Sequence, residues 1–264
     1  MAEWSKALPA AVRREQIVSL VERQGFARVT ELSRAFAVSE VTIRTDLDAL
    51  AEAHVIQRVH GGAVAGIRAL AQEPDFELAM TRATSEKRRI GHAAAALVES
   101  DMSVLIDAGS TTTSVARALL TREELTGVVV FTNSLTIAFE FEAGDPQFTI
   151  GVTGGTVRHK QHSLVDPMGD MFMGLIRGDL CFVGCNGISV EGVSNSSLHE
   201  VTMKRRFMDS SRRRVVVADS TKIGKTQLAR VAPLESVDLL ITGVETPEAN
   251  LEPLREAGVA VQQV

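Results

Sequence analysis

Three shortages mark the sequence, and each excludes a class of protein. It holds two cysteines in 264 residues, Cys181 and Cys185, both in or beside the apolar run Leu180-Cys181-Phe182-Val183-Gly184. Thiols so placed read as buried and reduced rather than as a disulfide scaffold or a metal site. No apolar run reaches the roughly 20 residues that span a bilayer. The opening Met1-Ala2-Glu3-Trp4-Ser5-Lys6 lacks the hydrophobic stretch of a secretion signal. The expectation is a cytoplasmic protein with no membrane partner. Positive charge is not in excess either, since the net charge is -5. Residues 1–64 carry eight Lys/Arg and eight Asp/Glu, so that stretch is formally neutral. Any contact with nucleic acid must therefore come from where charges sit, not from bulk basicity.

What is present is an ordinary soluble composition, 45% hydrophobic and 23% charged, long enough for a small domain followed by a larger one. The chain is organised around Asp107-Ala108-Gly109-Ser110-Thr111-Thr112-Thr113. An apolar run of parallel-strand type, Met102-Ser103-Val104-Leu105-Ile106, precedes it, and a helix-patterned stretch from Ser114 to Leu120 follows. Gly109 allows a tight turn, and hydroxyls stand where the helix begins. A helix N-terminus carries unpaired N–H groups and partial positive charge, so this turn fits an anion; it equally fits a plain Ser/Thr cap.

Near the N-terminus, residues 10–24 predict a helix with Ile17, Leu20 and Val21 inward and Arg13, Arg14 and Arg23 elsewhere, ended by Gly25. Thr30 is expected to cap a second, short helix buried through Leu32, Ala35 and Phe36. Ala37-Val38 makes a tight connection to Ser39, which caps a third helix with Glu40 in its first turn. On that helix Ile43, Leu47 and Leu50 must face inward, so Val41, Arg44, Thr45 and Asp48 point away, with Thr42 on the flank. Two short helices joined by a tight turn match the helix-turn-helix plan, in which the second helix enters the major groove of double-stranded DNA. Val55-Ile56-Gln57-Arg58-Val59-His60-Gly61-Gly62 then reads as a wing, with Arg58 and His60 able to reach the DNA. A three-helix module that binds another protein fits the same pattern.

From residue 85 onward strands and helices alternate. Strands are expected at 104–107, 128–131, 148–152, 180–184, 214–218, 239–242 and 259–262, which predicts a mostly parallel sheet covered on both faces. Ligands of such sheets sit beyond the carboxyl ends of the strands. The candidates there are Asp107 to Thr112, Thr132-Asn133-Ser134, Thr153-Gly154-Gly155-Thr156, Cys185-Asn186-Gly187 and Asp219-Ser220-Thr221-Lys222. Hydroxyls, amides and a carboxylate suit a polyol, while a lysine and a Thr/Ser turn suit a phosphate, and no aromatic platform is present. His159-Lys160-Gln161-His162 reads as a polar loop over the pocket, with Arg158 near the ligand.

Val38-Ser39-Glu40-Val41-Thr42-Ile43-Arg44-Thr45-Asp46-Leu47, followed by Arg58-Val59-His60-Gly61-Gly62-Ala63, resembles the recognition helix and wing of the DeoR family of bacterial transcriptional regulators. The strand-tip motifs resemble that family's effector domain in the same order. Two departures stand out: Ala53-His54-Val55 lacks a glycine usual before the wing strand, and Ile241-Thr242-Gly243 replaces the usual Ile-Thr-Asp. The resemblance implies an α/β protein in which a winged helix-turn-helix over 1–64 and a linker over 65–84 precede a Rossmann-like effector domain over 85–264. It implies Ser39, Thr42, Arg44, Thr45, Arg58 and His60 at an operator. It also implies Asp107, Ser110, Thr111, Thr112, Asn133, Gly154, Gly155, Arg158, Asn186, Lys204 and Lys222 around a phosphorylated sugar, with the first motif and Lys222 on the phosphate. No metal and no further cofactor is implied. A homo-oligomer, dimer or tetramer, is expected because one small neutral reading head binds weakly and paired heads read paired half-sites.

The effector domain also looks like ribose-5-phosphate isomerase, which raises a catalytic alternative. Lys204 and Asn186 stand where that enzyme carries carboxylates, and neither serves as a carboxylate base. Glu200, one turn before Lys204, is expected to form an i,i+4 ion pair with it. The reading is a retained binding site without catalysis.

Overall fold

The computed structural model describes residues 8–24, 26–52, 55–59, 61–65, 75–144, 147–165 and 168–264, and the chain divides into two compact units, 1–73 and 74–264.

The first unit runs α1 (Ala10–Gln24), β1 (Phe26–Arg28), α2 (Val29–Phe36), α3 (Glu40–Glu52), β2 (Ile56–Val59) and β3 (Gly62–Ala65). Its core gathers Ile17 and Val21 of α1, Leu32 of α2, Ile43, Leu47 and Leu50 of α3, and Ile56 and Ala63 of the sheet. The three strands lie in the order β1-β3-β2, all antiparallel. Strand β1 escapes a periodicity reading because it is three residues long, and it moves the start of the next helix. Arg28 is still paired with Gly62, so α2 begins at Val29 and Thr30 lies inside the first turn instead of capping it. The Arg28 N–H donates instead to the Glu31 carboxylate, 3.2 Å away. Helix α2 ends where Ala37 takes a left-handed conformation, φ 51°. At the head of α3, Ser39 caps as expected, its Oγ accepting the Thr42 N–H at 3.1 Å.

The second unit opens with α4 (Phe76–Thr81) and α5 (Thr84–Ala95), so residues expected to belong to a linker form a helix of this unit. There follow β4 (Ser103–Ile106), α6 (Ser110–Leu119), β5 (Val129–Thr132), α7 (Leu135–Glu142), β6 (Thr149–Val152), β7 (Thr156–Arg158), β8 (Ser163–Val165) and α8 (Met168–Met173). The chain continues with β9 (Gly178–Gly184), β10 (Gly187–Ser189), β11 (Gly192–Asn195), α9 (Leu198–Asp209), β12 (Ser211–Val217), β13 (Ala229–Ala232), β14 (Leu239–Thr242), α10 (Glu248–Glu256) and β15 (Val261–Gln263). All seven expected strands join one parallel sheet, ordered β15-β14-β12-β9-β4-β5-β6.

Strands that are apolar at every position need cover on both faces, because successive side chains point to opposite sides. Val104, Ile106, Leu180, Phe182, Val215, Val217 and Ile241 pack in one layer with Ile90 of α5 and Val115 of α6. Leu105, Cys181, Val183, Val216 and Leu240 pack in the other with Phe207 of α9 and Leu251 of α10. Two small antiparallel sheets, β10-β11-β13 and β7-β8, stand beside the main sheet.

Candidate functional site

In the first unit the outer face of α3 carries the predicted DNA-reading groups. Arg44 and Thr45 are exposed. Arg44 is held by Glu40 one turn earlier, Nη2 to Oε2 3.0 Å. Thr45 turns its hydroxyl back onto the Val41 carbonyl, 3.1 Å. The Ser39 and Thr42 hydroxyls hydrogen-bond each other at 2.8 Å. On β2, Arg58 Nε lies 3.3 Å from Asp48 of α3, which ties the wing strand to the helix beside it. His60 and the Ala53-His54 step lie outside the described residues. Behind this face sits a cluster of three charges that the periodicity reading did not bring together. Asp46 is buried and accepts from Arg13 Nε at 2.6 Å and Arg14 Nε at 2.8 Å, both from α1.

In the second unit the parallel strands of the main sheet all point their carboxyl ends to one edge. Asp107, Asn133, Thr153, Cys185, Ala218 and Gly243 directly follow β4, β5, β6, β9, β12 and β14, so their loops share one edge. Gly109 precedes α6, and the Thr112 and Thr113 hydroxyls donate to its carbonyl at 2.9 and 2.8 Å. Those two threonines therefore build the turn. The Ser110 and Thr111 hydroxyls make no hydrogen bond among the described residues, and they stand at the open end of the helix, where anions are favoured.

Asp107 is buried at the centre of the edge, bonded to Lys204 Nζ of α9 and accepting the Gly184 N–H at 3.2 Å. Burial pushes its carboxyl up to about 6, against the Lys204 ammonium and with help from Glu200. Burial works against the Lys204 charge as well, but Asp107 and Glu200 outweigh it and hold that ammonium above the usual lysine value. The expected i,i+4 pair of Glu200 with Lys204 is not the contact formed. Glu200 instead takes Arg158 Nη1 at 2.7 Å, the Ser163 hydroxyl at 3.0 Å and Asn195 Nδ2 at 3.3 Å. Arg158 on β7 and Lys204 on α9 thus each neutralise a buried carboxylate.

Asn133 is occupied at both ends of its amide, Oδ1 accepting the Ala108 N–H at 2.9 Å and Nδ2 donating to the Leu164 carbonyl at 3.3 Å. It locks two loops together. Asn186 Oδ1 accepts from the backbone and hydroxyl of Ser196, at 3.1 and 3.2 Å, while its Nδ2 has no partner among the described residues. Gly154 and Gly155 both have left-handed φ, 72° and 122°, and a Cβ on Gly155 would strike the Val165 carbonyl, so β6 can reach β7 only through glycine. Lys222 ends the short 3₁₀ turn Ser220–Lys222, half-buried, its ammonium free of hydrogen bonds and ion pairs among the described residues.

Other members of this edge carried no clear sequence signal. Glu86 and Lys87, in the first turn of α5, are both buried. Glu86 accepts the Ser220 N–H at 2.5 Å and the Ser220 hydroxyl at 3.1 Å, and burial raises its pKa. A Cβ on Gly243 would collide with Glu86 Oε1 and Glu245 Oε2, so the Glu86 carboxylate fills the space over the glycine that departs from the family pattern. Lys87 Nζ donates to the Ala79 and Arg82 carbonyls at 2.6 and 2.9 Å and lies 3.7 Å from Asp219, with its pKa lowered by burial. It thereby fastens the C-terminal end of α4. The other end of α4 is fastened by the β7–β8 turn. Phe76 N donates to the Lys160 carbonyl at 3.0 Å, the Phe76 ring stacks on His162 at 5.1 Å, and His162 Nε2 lies 2.9 Å from Glu77. The loop expected to cover a pocket grips the first helix of the unit.

Both cysteines are free thiols, and burial pushes each up to about 12, which suppresses thiolate chemistry. Asp107 and Glu200 are each engaged by a cation and by hydrogen-bond donors, Lys204 and the Gly184 N–H on the first and Arg158, Ser163 and Asn195 on the second. No helix among the described residues is long and apolar enough to cross a membrane.

Comparison with known proteins agrees with both halves. The DeoR-like helix-turn-helix domain profile matches residues 13–66, and the DeoR C terminal sensor domain profile matches residues 82–244. The HTH-type transcriptional regulator GolR of Listeria innocua is 32% identical over 251 residues, 95% of this chain and 97% of that one. The putative aga operon transcriptional repressor of Escherichia coli O157:H7 is 32% identical over 94% of this chain and 92% of its own. The glycerol-3-phosphate regulon repressor of Escherichia coli K12 is 30% identical over 95% and 97%. Among solved structures, ribose 5-phosphate isomerase from Plasmodium falciparum is similar at 16% identity and TM-score 0.40, over 54% of this chain and 53% of that one.

Proposed function

The chain belongs to the DeoR family of DNA-binding transcriptional regulators, and from that premise we propose that it represses a sugar-metabolism operon under the control of a phosphorylated sugar. It is a regulator and not an enzyme. The observation that carries the sensor reading is the distribution of free donors at the sheet edge. Every buried carboxylate there is matched by a cation or by N–H and O–H donors, whereas the Ser110 and Thr111 hydroxyls, the N-terminus of α6 and the Lys222 ammonium have donors to spare. A phosphate supplies the missing acceptors. Asp107, Thr112, Asn133, Gly154, Gly155, Arg158 and Lys204 hold the walls, and Asn186 Nδ2 is left to meet a sugar hydroxyl. A relative that is a glycerol-3-phosphate regulon repressor fits a phosphorylated metabolite as effector.

In this reading residues 1–64 bind the operator through Ser39, Thr42, Arg44, Thr45, Arg58 and His60, in the cytoplasm and as a dimer or tetramer. Helix α4, the first described element after residues 66–74, is held by Lys87 beside Asp219 and by the turn that follows Arg158. A ligand that moves either anchor is felt by α4, and coupling requires only that the two arrangements bind it unequally.

A melting-temperature screen of phosphorylated sugars against their unphosphorylated counterparts tests the sensor. At least one phosphorylated compound should raise the melting temperature by several degrees where its parent sugar does not, and Lys222→Ala should abolish the shift. Arg44→Ala should remove specific DNA binding and leave the ligand-induced shift intact. If no phosphorylated sugar out-performs its parent, the effector reading fails while the DNA reading stands.

A further inference from the structure

At the start of its outer face helix α3 presents methyl groups between two hydrogen-bonded polar pairs. Val41 is 69% exposed, a large apolar side chain on the surface of a small unit whose other large aliphatic side chains on this helix, Ile43, Leu47 and Leu50, are buried. One turn later Thr45 is exposed too, but its hydroxyl is donated inward to the Val41 carbonyl at 3.1 Å, which leaves its methyl facing out. The polar neighbours are likewise satisfied among themselves. Glu40 holds Arg44, and Ser39 holds Thr42. The exposed surface between those two pairs is therefore a strip of three methyls.

The geometry points to Val41 and Thr45 as readers of thymine, recognised through its C5 methyl in the major groove. Thymine is the one base that offers an apolar group there, and an aliphatic strip on a recognition helix complements it. Residues four apart on a helix are separated by about 6 Å along its axis. Successive bases on a strand rise by about 3.4 Å, so the strip covers adjacent base steps. Arg44 and Ser39 then hold phosphate or flanking edges, and Val41 discriminates between sequences. This assignment rests on the DNA-binding reading of the first unit.

Selection of the full-length protein on randomised DNA duplexes supplies the probe. Each thymine of the enriched site is then replaced singly by deoxyuridine, which deletes the methyl and keeps every hydrogen bond. For the unaltered protein, one or two thymines in each half-site should show about fourfold weaker binding on methyl deletion, the size expected for one buried methyl. Val41→Ala should lose that sensitivity at one thymine and Thr45→Ser at its neighbour, with the melting temperature unchanged because Val41 is exposed. Val41→Ile should keep it. If deoxyuridine weakens the protein and Val41→Ala equally at every position, or weakens neither, the thymine assignment is overturned while DNA binding survives. If no duplex is enriched, the DNA-binding reading itself fails, and the assignment with it.

Discussion

Asp46 decides how the reading helix is seated. Ile43, Leu47 and Leu50 would let α3 slide along its apolar stripe, whereas a buried carboxylate gripped by Arg13 and Arg14 fixes one position against α1. Burial alone would raise its pKa, and the two guanidinium hydrogen bonds more than reverse that, leaving it below the usual aspartate value. A depressed carboxylate adds stability that is complete above the unfolded pKa near 4 and vanishes as pH falls through the lower folded value. Asp46→Asn should therefore cost about 3 kcal/mol at pH 7, since it strands buried guanidinium charge. The deficit should shrink as pH falls below 4 through the lower folded value, with urea denaturation at pH 7 and along that descent as the measurement. None of this is legible in a single sequence. Arg13 and Asp46 lie 33 positions apart, Asp107 and Lys204 97 apart, and a periodicity reading sends every charged side chain outward. Helical spacing made Glu200 and Lys204 look like partners, and the fold gives each a different one from a distant segment.

At the scale of elements, what the sequence made plain was whatever is long and uniformly apolar. The seven strands of the parallel sheet, the two helices of the reading motif and the Ser39 cap all follow from hydrophobic period and cap chemistry. Strands Gly187–Ser189 and Gly192–Asn195 hold little apolar surface of their own; they pair with each other, and the second pairs with β13, so nothing local announces them. Helix α4 left only a short helical patch in the sequence, Phe76, Leu78 and Met80, inside the expected linker, because six residues cannot sustain a helix alone and this one is held by Lys87 and Phe76 contacts with the rest of its unit. The turn between α2 and α3 carries a local cost. Ala37 occupies the left-handed region, where a Cβ is unfavourable by about 1 kcal/mol. Ala37→Gly should raise the denaturation midpoint by a corresponding amount, less the added freedom of the unfolded chain, and leave operator affinity unchanged.

The whole molecule keeps reading and sensing in separate cores, one built from residues between Ile17 and Ala63 and two others from residues beyond Ile90, and it carries a net charge of -5. Among the described residues of the first unit, four cations are engaged before DNA arrives, and Arg28 and Arg34 make no ion pair. Arg13 and Arg14 serve Asp46, Arg44 meets Glu40, and Arg58 meets Asp48. Few remain to displace counterions, so the logarithm of operator affinity should fall with the logarithm of salt at a slope of about -2 to -3 per reading head. A titration between 50 and 200 mM salt checks it, and a slope near -6 per head would mean that those ion pairs open on binding. The same economy of free charge governs how the protein travels. Generic duplex gives it little to cling to, so it slides only briefly and reaches its target by repeated collisions from solution. How soon a vacated operator is refilled is then set by the number of copies in the cell, not by the length of chromosome each copy can scan.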